Sequence, residues 1–254
     1  MSDAPSLIRS VAELDLAFAP RVWPFAEDHA EEILAHWLKL RSTRPRLFDG
    51  RVLLMSAHEF ARRADGATIL RGECFETDYK AFLAWRDFGF PDRSVRNCFS
   101  MAALQSSDGA YILGRMAAHT ANAGAIYFAA GTPDRHDVFG SRVDLRASVL
   151  RELQEETGLA PSEVEVAENW FVVDAPPRIA CLKPAKVAEK AAALKARIEA
   201  YLALEPEPEL AGVHIATSSA DINEALTPRF LVDFLHYAFD PTPSGGAATI
   251  PLAR

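Results

Sequence analysis

The stretch that most constrains this chain is Arg151-Glu152-Leu153-Gln154-Glu155-Glu156-Thr157-Gly158-Leu159. On a helix, Glu152, Glu155 and Glu156 fall at i, i+3 and i+4, so three carboxylates share one face. Val149 and Leu153, four apart, share another face and can anchor the helix in a core. Gly158 reads as the helix stop, with Pro161 just beyond it. The acids then sit in the last turns, beside the negative end of the helix dipole, where Lys or Arg is favoured. Like-charge neighbours at this spacing cost roughly 0.2–0.5 kcal/mol per pair. A local conflict of this kind marks a functional position. Three converging carboxylates suit a hard divalent cation such as Mg²⁺, which takes oxygen ligands and shares them with substrate phosphates. The plain alternative is a solvated acidic helix face.

The whole string Arg151–Leu159 resembles the second half of the Nudix box, Arg-Glu-apolar-x-Glu-Glu-x-Gly-apolar, at every specified position. In that family the motif forms a loop–helix–loop that binds divalent metal and cleaves a diphosphate linked to another group. The first half of the box departs from the pattern. Counting back from Arg151, the family's Glu position falls on Val143 and its Gly position on Asp137. The nearest loop glycine is Gly131, in Ala-Ala-Gly-Thr-Pro-Asp, so the loop from Gly131 to Ser141 is lengthened. Asp144 stands one step from the Glu position and serves either as that acid or as the N-cap of the helix.

Composition sets the outer bounds. A chain of 254 residues can bury a substantial core, and 49% apolar with 24% charged residues is ordinary for a soluble globular protein. A net charge of −8 argues against binding a nucleic-acid backbone, which needs basic surface. Cys74, Cys98 and Cys181 are odd in number and fit neither a zinc pattern nor a disulfide framework, which suggests a reducing compartment. The first residues lack the basic start and apolar run of a signal peptide, and no stretch approaches the ~20 apolar residues of a membrane span. A cytoplasmic protein with no membrane or nucleic-acid partner is expected.

Pattern reading places a strand at 13–19, a helix at 27–40 with Ile33, Leu34, Trp37, Leu38 and Leu40 inward, and strands at 51–55 and 68–75 around an Ala64-Asp65-Gly66 turn. A short helix at 78–87 carries Tyr79, Phe82, Leu83, Trp85 and Arg86. Strands at 99–105 and 110–116 flank Ser106-Ser107-Asp108-Gly109, and a third at 125–130 leads into the box. Strands at 164–174 and 178–182, an amphipathic helix at 186–204, a strand at 212–216 and a last helix opened by Thr227-Pro228 complete the order. The resemblance covers roughly residues 96–240. It implies an α/β class, a Nudix-like α/β/α sandwich with a mixed sheet. Residues 1–95 form an α+β extension packed on that core, and 241–254 a loose tail.

Carried over to this chain, the resemblance makes Glu152, Glu155 and Glu156 metal ligands. It makes Arg151 the partner that orients one of them through a charge-assisted hydrogen bond. A further acid comes from a later loop in many members. Glu205, Glu207 and Glu209 are available, and Glu209 is favoured because it directly precedes a strand; a charged linker is the alternative. The chemistry implied is attack of water on a diphosphate phosphorus, with Mg²⁺ (or Mn²⁺) neutralising charge and Glu152 or Glu156 accepting the proton. Gly131, Tyr79, Arg86 and His119 are candidate substrate contacts, His119 because binding groups concentrate on loops. Tyr79, Trp85 and Arg86 serve equally well as docking residues between extension and core.

Pro45-Arg46-Leu47-Phe48-Asp49-Gly50, followed by Thr77-Asp78-Tyr79 and Phe82-Leu83, is similar to the pre-core region of Nudix enzymes that hydrolyse UDP-sugars. The expected activity is hydrolysis of a nucleoside diphosphate linked to another group, with a UDP-sugar as one form. ADP-ribose, a dinucleotide or a coenzyme A derivative is the rival within the fold, and a non-catalytic nucleotide sensor the rival outside it. The partner is a small nucleotide-type molecule, and the protein a monomer or homodimer.

Overall fold

The computed structural model describes residues 6–45, 47 and 49–240; the expected tail and part of the Pro45–Gly50 string lie outside the described residues. Strands β1 (Leu7–Val11) and β2 (Glu13–Phe18) lead to helices α1 (Pro24–Asp28) and α2 (Ala30–Thr43). Strands β3 (Arg51–Arg62) and β4 (Thr68–Asp78) and helix α3 (Tyr79–Asp87) complete the first part. Next come β5 (Asn97–Gln105), β6 (Tyr111–Met116), β7 (Ile126–Tyr127) and β8 (Ala130–Gly131). A small pair, β9 (Val138–Phe139) and β10 (Arg142–Val143), opens into α4 (Leu145–Thr157), the box helix. The chain then adds β11 (Glu165–Val166), β12 (Trp170–Ala175), β13 (Arg178–Lys186), α5 (Ala191–Leu202), β14 (Leu210–Ala216) and α6 (Arg229–Phe239).

Alternation along the central strands fixes the layering. In β13, Ile179 and Cys181 join one buried cluster while Ala180 and Leu182 join another. Trp170 and Val172 divide from Phe171 and Val173 in the same way, as do Ala102 and Leu104 from Met101 and Ala103. Successive side chains of a strand point to opposite faces, so this sheet is buried on both sides. One face packs on Val149 and Leu153 of α4 and on Leu194 and Ile198 of α5. The other packs on Phe230, Leu231, Phe234 and Leu235 of α6. The result is the expected α/β class, a mixed sheet between helical layers. Its order is β1-β12-β13-β5-β6-β14, with β11 on β13, β7 on β6 and β8 on β5. The β13–β5 pair is parallel and its neighbours antiparallel.

A second sheet, β3-β4-β2-β10-β9, is also mixed and is also buried on both faces. Leu53, Met55 and Leu70 enter the cluster shared with α4, while Val52, Leu54 and Phe75 pack with Trp23, Trp37, Phe82 and Trp85 beneath α1–α3. The two sheets trade strands. The N-terminal β1 pairs with β12 in the core sheet, and β10, from the lengthened box loop, pairs with β2. Strands β1 and β2 are therefore joined to later strands through backbone hydrogen bonds as well as side-chain packing.

Several expected elements shift. The helix at 27–40 is two helices broken at His29, and Leu34 and Leu38 are exposed rather than inward. The strand at 125–130 is two short pieces separated by Phe128 and Ala129, and that at 164–174 is also two. Residues 186–190 end a strand and a turn, so the amphipathic helix is shorter than 186–204; strand pairing of Lys186 with Gln105 and Glu165 overrides its local helical pattern. Pro228, not Thr227, takes the N-cap position of α6, and Thr227 is buried.

Candidate active site

Helix α4 is held at both ends by the devices its sequence carries. Asp144 caps it, accepting from the backbone N–H groups of Arg146 at 2.9 Å and Ala147 at 3.1 Å. Gly158 ends it at φ +72°, donating to Gln154 O. A side chain at Gly158 would be doubly opposed, by that left-handed backbone and by the Tyr201 ring, whose Cδ2 would lie 2.6 Å from an added Cβ. Val149 and Leu153 are each 1% exposed, a burial that contributes on the order of 2 kcal/mol per side chain. That offsets the mutual repulsion of the acids several times over.

The three glutamates do not share one environment. Each residue advances about 100° around an α-helix, so Glu155 lies about 60° to one side of Glu152 and Glu156 about 40° to the other. Glu156 is consequently turned inward and buried, Glu152 is partly buried, and Glu155 is exposed. Glu156 Oε1 accepts the Ala130 backbone N–H at 3.2 Å, whereas its Oε2 is buried with no partner. Burial pushes the Glu156 carboxyl well above the ordinary range, opposed by the Ala130 hydrogen bond and reinforced by Glu209, Glu152 and Glu155. Burial likewise raises Glu152 to about 7, with Arg151 opposing and Glu155 and Glu209 adding to the rise. The structure thus brings the exposed Glu209, immediately before β14, within electrostatic reach of both inward glutamates. Glu205 and Glu207 remain on the exposed turn before it.

Arg151 donates from Nη2 to Glu152 Oε1 at 3.3 Å and from Nη1 to Asp137 Oδ1 at 2.8 Å. Asp137 is fully buried; its Oδ2 accepts the Asp134 N–H at 3.1 Å, and its carbonyl accepts the Asp144 N–H at 2.8 Å. Pattern reading missed this residue, because the motif spacing asks for glycine there. An unmatched acid in the lengthened loop was the only available signal. Gly131 touches the same network. A Cβ there would overlap the Glu152 carboxylate, with Cγ only 2.8 Å away, so the close approach requires glycine.

Of these groups, Glu156 and Gly131 line a cleft of about 110 Å³. Tyr79, Phe82 and Arg86 of α3 line it from the extension side. Asn97, Phe99, Tyr127, Gly131, Glu156, Arg178 and Phe230 line it from the core. Tyr79 and Arg86 therefore reach the cleft, while Trp85 is fully buried against Trp23 and Phe90 and works in packing. His119 does not line the cleft; it is exposed, and its loop contributes Ala121 and Asn122 instead. Arg178, Asn97, Tyr127 and Phe230 were not expected. They are far apart in the chain and carry no motif, so only the fold assembles them.

Among the described residues, no group of three or more His, Cys, Asp or Glu side chains is placed so that it could hold a metal ion. The donor chemistry nonetheless fits a hard cation. Four carboxylates raise or feel one another's charge around Glu152 and Glu156, and one buried oxygen there has no partner. A divalent ion would relieve that repulsion.

No protein-family model and no curated protein matches this sequence. Solved structures do. A Nudix hydrolase from M. smegmatis, RenU, is similar at 17% identity with a TM-score of 0.39, over 62% of this chain and 88% of that one. A mutant of the Bacillus subtilis pyrophosphohydrolase BsRppH is similar at 13% identity with a TM-score of 0.27, over 50% and 65%. Likenesses this distant carry no argument about chemistry, which rests on the residues of the chain itself. No helix among the described residues is long and apolar enough to cross a membrane.

Proposed function

We propose that this protein is a divalent-metal-dependent hydrolase that cleaves a diphosphate in a nucleoside diphosphate linked to another group. One observation carries the reading: Glu156, in an intact Arg-Glu-x-x-Glu-Glu helix, lines a cleft with a buried carboxylate oxygen that has no partner. Glu152, Glu155, Glu156 and Glu209 would hold the metal. Bound there, Mg²⁺ or Mn²⁺ supplies charge neutralisation for phosphate oxygens and acidifies a water.

The chain's own residues do the rest. Arg151, anchored by Asp137, fixes the Glu152 carboxylate in one orientation. Ala130 N–H fixes Oε1 of Glu156 and leaves Oε2 for the reacting centre. Glu152 or Glu156 takes the proton of the attacking water, since both are desolvated carboxylates, Glu156 lining the cleft and Glu152 lying against Gly131, which lines it. Aromatic walls from Tyr79, Phe82, Phe99, Tyr127 and Phe230 exclude water from the remainder of the substrate and can pack on a planar base.

The test is release of phosphate, through a coupled phosphatase, from UDP-sugars, ADP-ribose, dinucleotides and coenzyme A with Mg²⁺ present. Turnover of one class, reduced by orders of magnitude in Glu156→Gln with its fold intact, is expected. Tight nucleotide binding with no turnover of any compound would establish a sensor instead, and full activity in Glu156→Gln would remove the site assignment.

A further inference from the structure

The same cleft also carries guanidinium groups. Arg178 opens β13 just after Pro176-Pro177, and Arg86 reaches the same space from α3 in the extension. Arg178 is partly buried and makes no ion pair with any carboxylate among the described residues; its guanidinium carbon lies 5.2 Å from the centre of the Phe90 ring. Phe90 is built to hold it. Its backbone takes φ +60°, rare for a non-glycine residue, while its N–H bonds to Trp85 O at 2.8 Å and its ring stands edge-on to Trp85 at 4.7 Å.

Arg86 spends only Nε on a carboxylate, donating to Asp87 Oδ1 at 2.8 Å. The other oxygen of Asp87 lies 2.8 Å from His36 Nε2. Asp87 is thus shared between Arg86 and His36, and no carboxylate among the described residues pairs with Arg178. Asn97 also lines the cleft; its buried Oδ1 is an acceptor without a partner, and its amide Nδ2 is the group that can donate to an oxyanion. Burial lowers the Arg178 pKa most, Tyr127 opposes it, and the neighbouring Arg86 charge lowers it further. Arginine keeps its proton even so, and its planar fork matches an oxyanion at two points.

We propose that Arg178 and Arg86, with Asn97 alongside, form an oxyanion-binding subsite that grips a phosphate or carboxylate oxygen group of the substrate independently of metal. The proposal rests on the cleft being the substrate site and adds a specificity-determining pair to it. The oxyanion has two sources: the far phosphoryl of the diphosphate itself, or an additional anionic group on the attached moiety. Desolvation by Phe82, Phe99, Tyr127 and Phe230 strengthens either contact.

The experiment uses the full chain in EDTA, titrated with inorganic phosphate and followed by calorimetry. Wild type should bind saturably, and Arg178→Gln should weaken binding roughly tenfold or more, the loss of a charge-assisted contact. Arg86→Gln should weaken it also, and Arg178→Lys, which keeps the charge but loses the fork, should fall between. Thermal unfolding of each variant checks its fold, and the lysine variant serves where the glutamine variant does not fold. No saturable phosphate binding by wild type, or unchanged affinity in both Arg178 variants, overturns the subsite.

With an active substrate, a raised KM at constant kcat in Arg178→Gln assigns the contact to an additional anionic group. A lowered kcat assigns it to the phosphoryl under attack. Unchanged KM and kcat would refute both. Phosphate binding without turnover of any compound would sink the hydrolase reading while leaving the subsite; turnover without phosphate binding would do the reverse.

Discussion

Asp137 offers the sharpest test of how this site is held together. Its carboxylate is completely buried and takes Arg151 Nη1 at 2.8 Å and the Asp134 N–H at 3.1 Å. Asp137→Ala removes one partner of an ion pair and leaves the other. For a fully buried pair that costs ~3–5 kcal/mol. The Arg151 side chain is 35% exposed, so water can partly replace the lost carboxylate, and the expected cost falls to about 2 kcal/mol. For a chain of this size that lowers Tm by roughly 4–8 °C.

Asp137→Asn keeps an acceptor for only one of the two donors and turns an N–H toward the other, so it should cost nearly as much. Function should suffer more than stability. With Asp137 gone, Arg151 is free to swing fully onto Glu152, so the carboxylate loses its orientation and hydrolysis drops at least tenfold. Urea unfolding of Asp137→Ala, Arg151→Met and the double variant closes a cycle, with an expected coupling of about 1.5–2 kcal/mol. Additivity within ~0.3 kcal/mol, or an Asp137→Ala protein as stable and active as wild type, would refute the argument.

Gly131→Ala should leave the fold nearly unchanged but displace the Glu152 carboxylate that its Cβ would overlap. Metal-dependent hydrolysis should fall by an order of magnitude or more, and equal kcat/KM in the two proteins would show that Glu152 adapts without loss. Lys183 supplies a pH signature away from the site. Its amine sits 4.4 Å from the Trp170 ring centre and donates to the carbonyls of Glu168 and Asn169, and burial first, then Arg146, lowers its pKa from 10.5 to about 8. Between those values the unfolded chain holds a proton that the native protein has released, so this residue's contribution to stability rises with pH. The stability of wild type relative to Lys183→Met should therefore be flat below pH 8 and climb from there toward 10.5; a flat or falling difference in denaturation midpoints would contradict it.

What the sequence determined by itself was local. The spacing of Val149 and Leu153, the Asp144 cap and the Gly158 stop specify α4, because helix periodicity and end chemistry act within a few residues. The strands with clean turn chemistry between them, such as those around Ser106–Gly109, were legible for the same reason. Tertiary structure decided the rest. Pairing across the sheet turned Lys186 into a strand residue, and packing on one side only left Leu34 and Leu38 in solvent. The site followed the same division. Three acids on one helix could be read from spacing, but their split into buried, half-buried and exposed carboxylates depends on which way the helix face is turned. Asp137, Arg178 and Asn97 carry no periodic signal at all. They meet the box helix or its cleft only because the lengthened loop returns to α4 and the sheet sets β5 beside β13, contacts whose energies come from burial and charge across long chain separations.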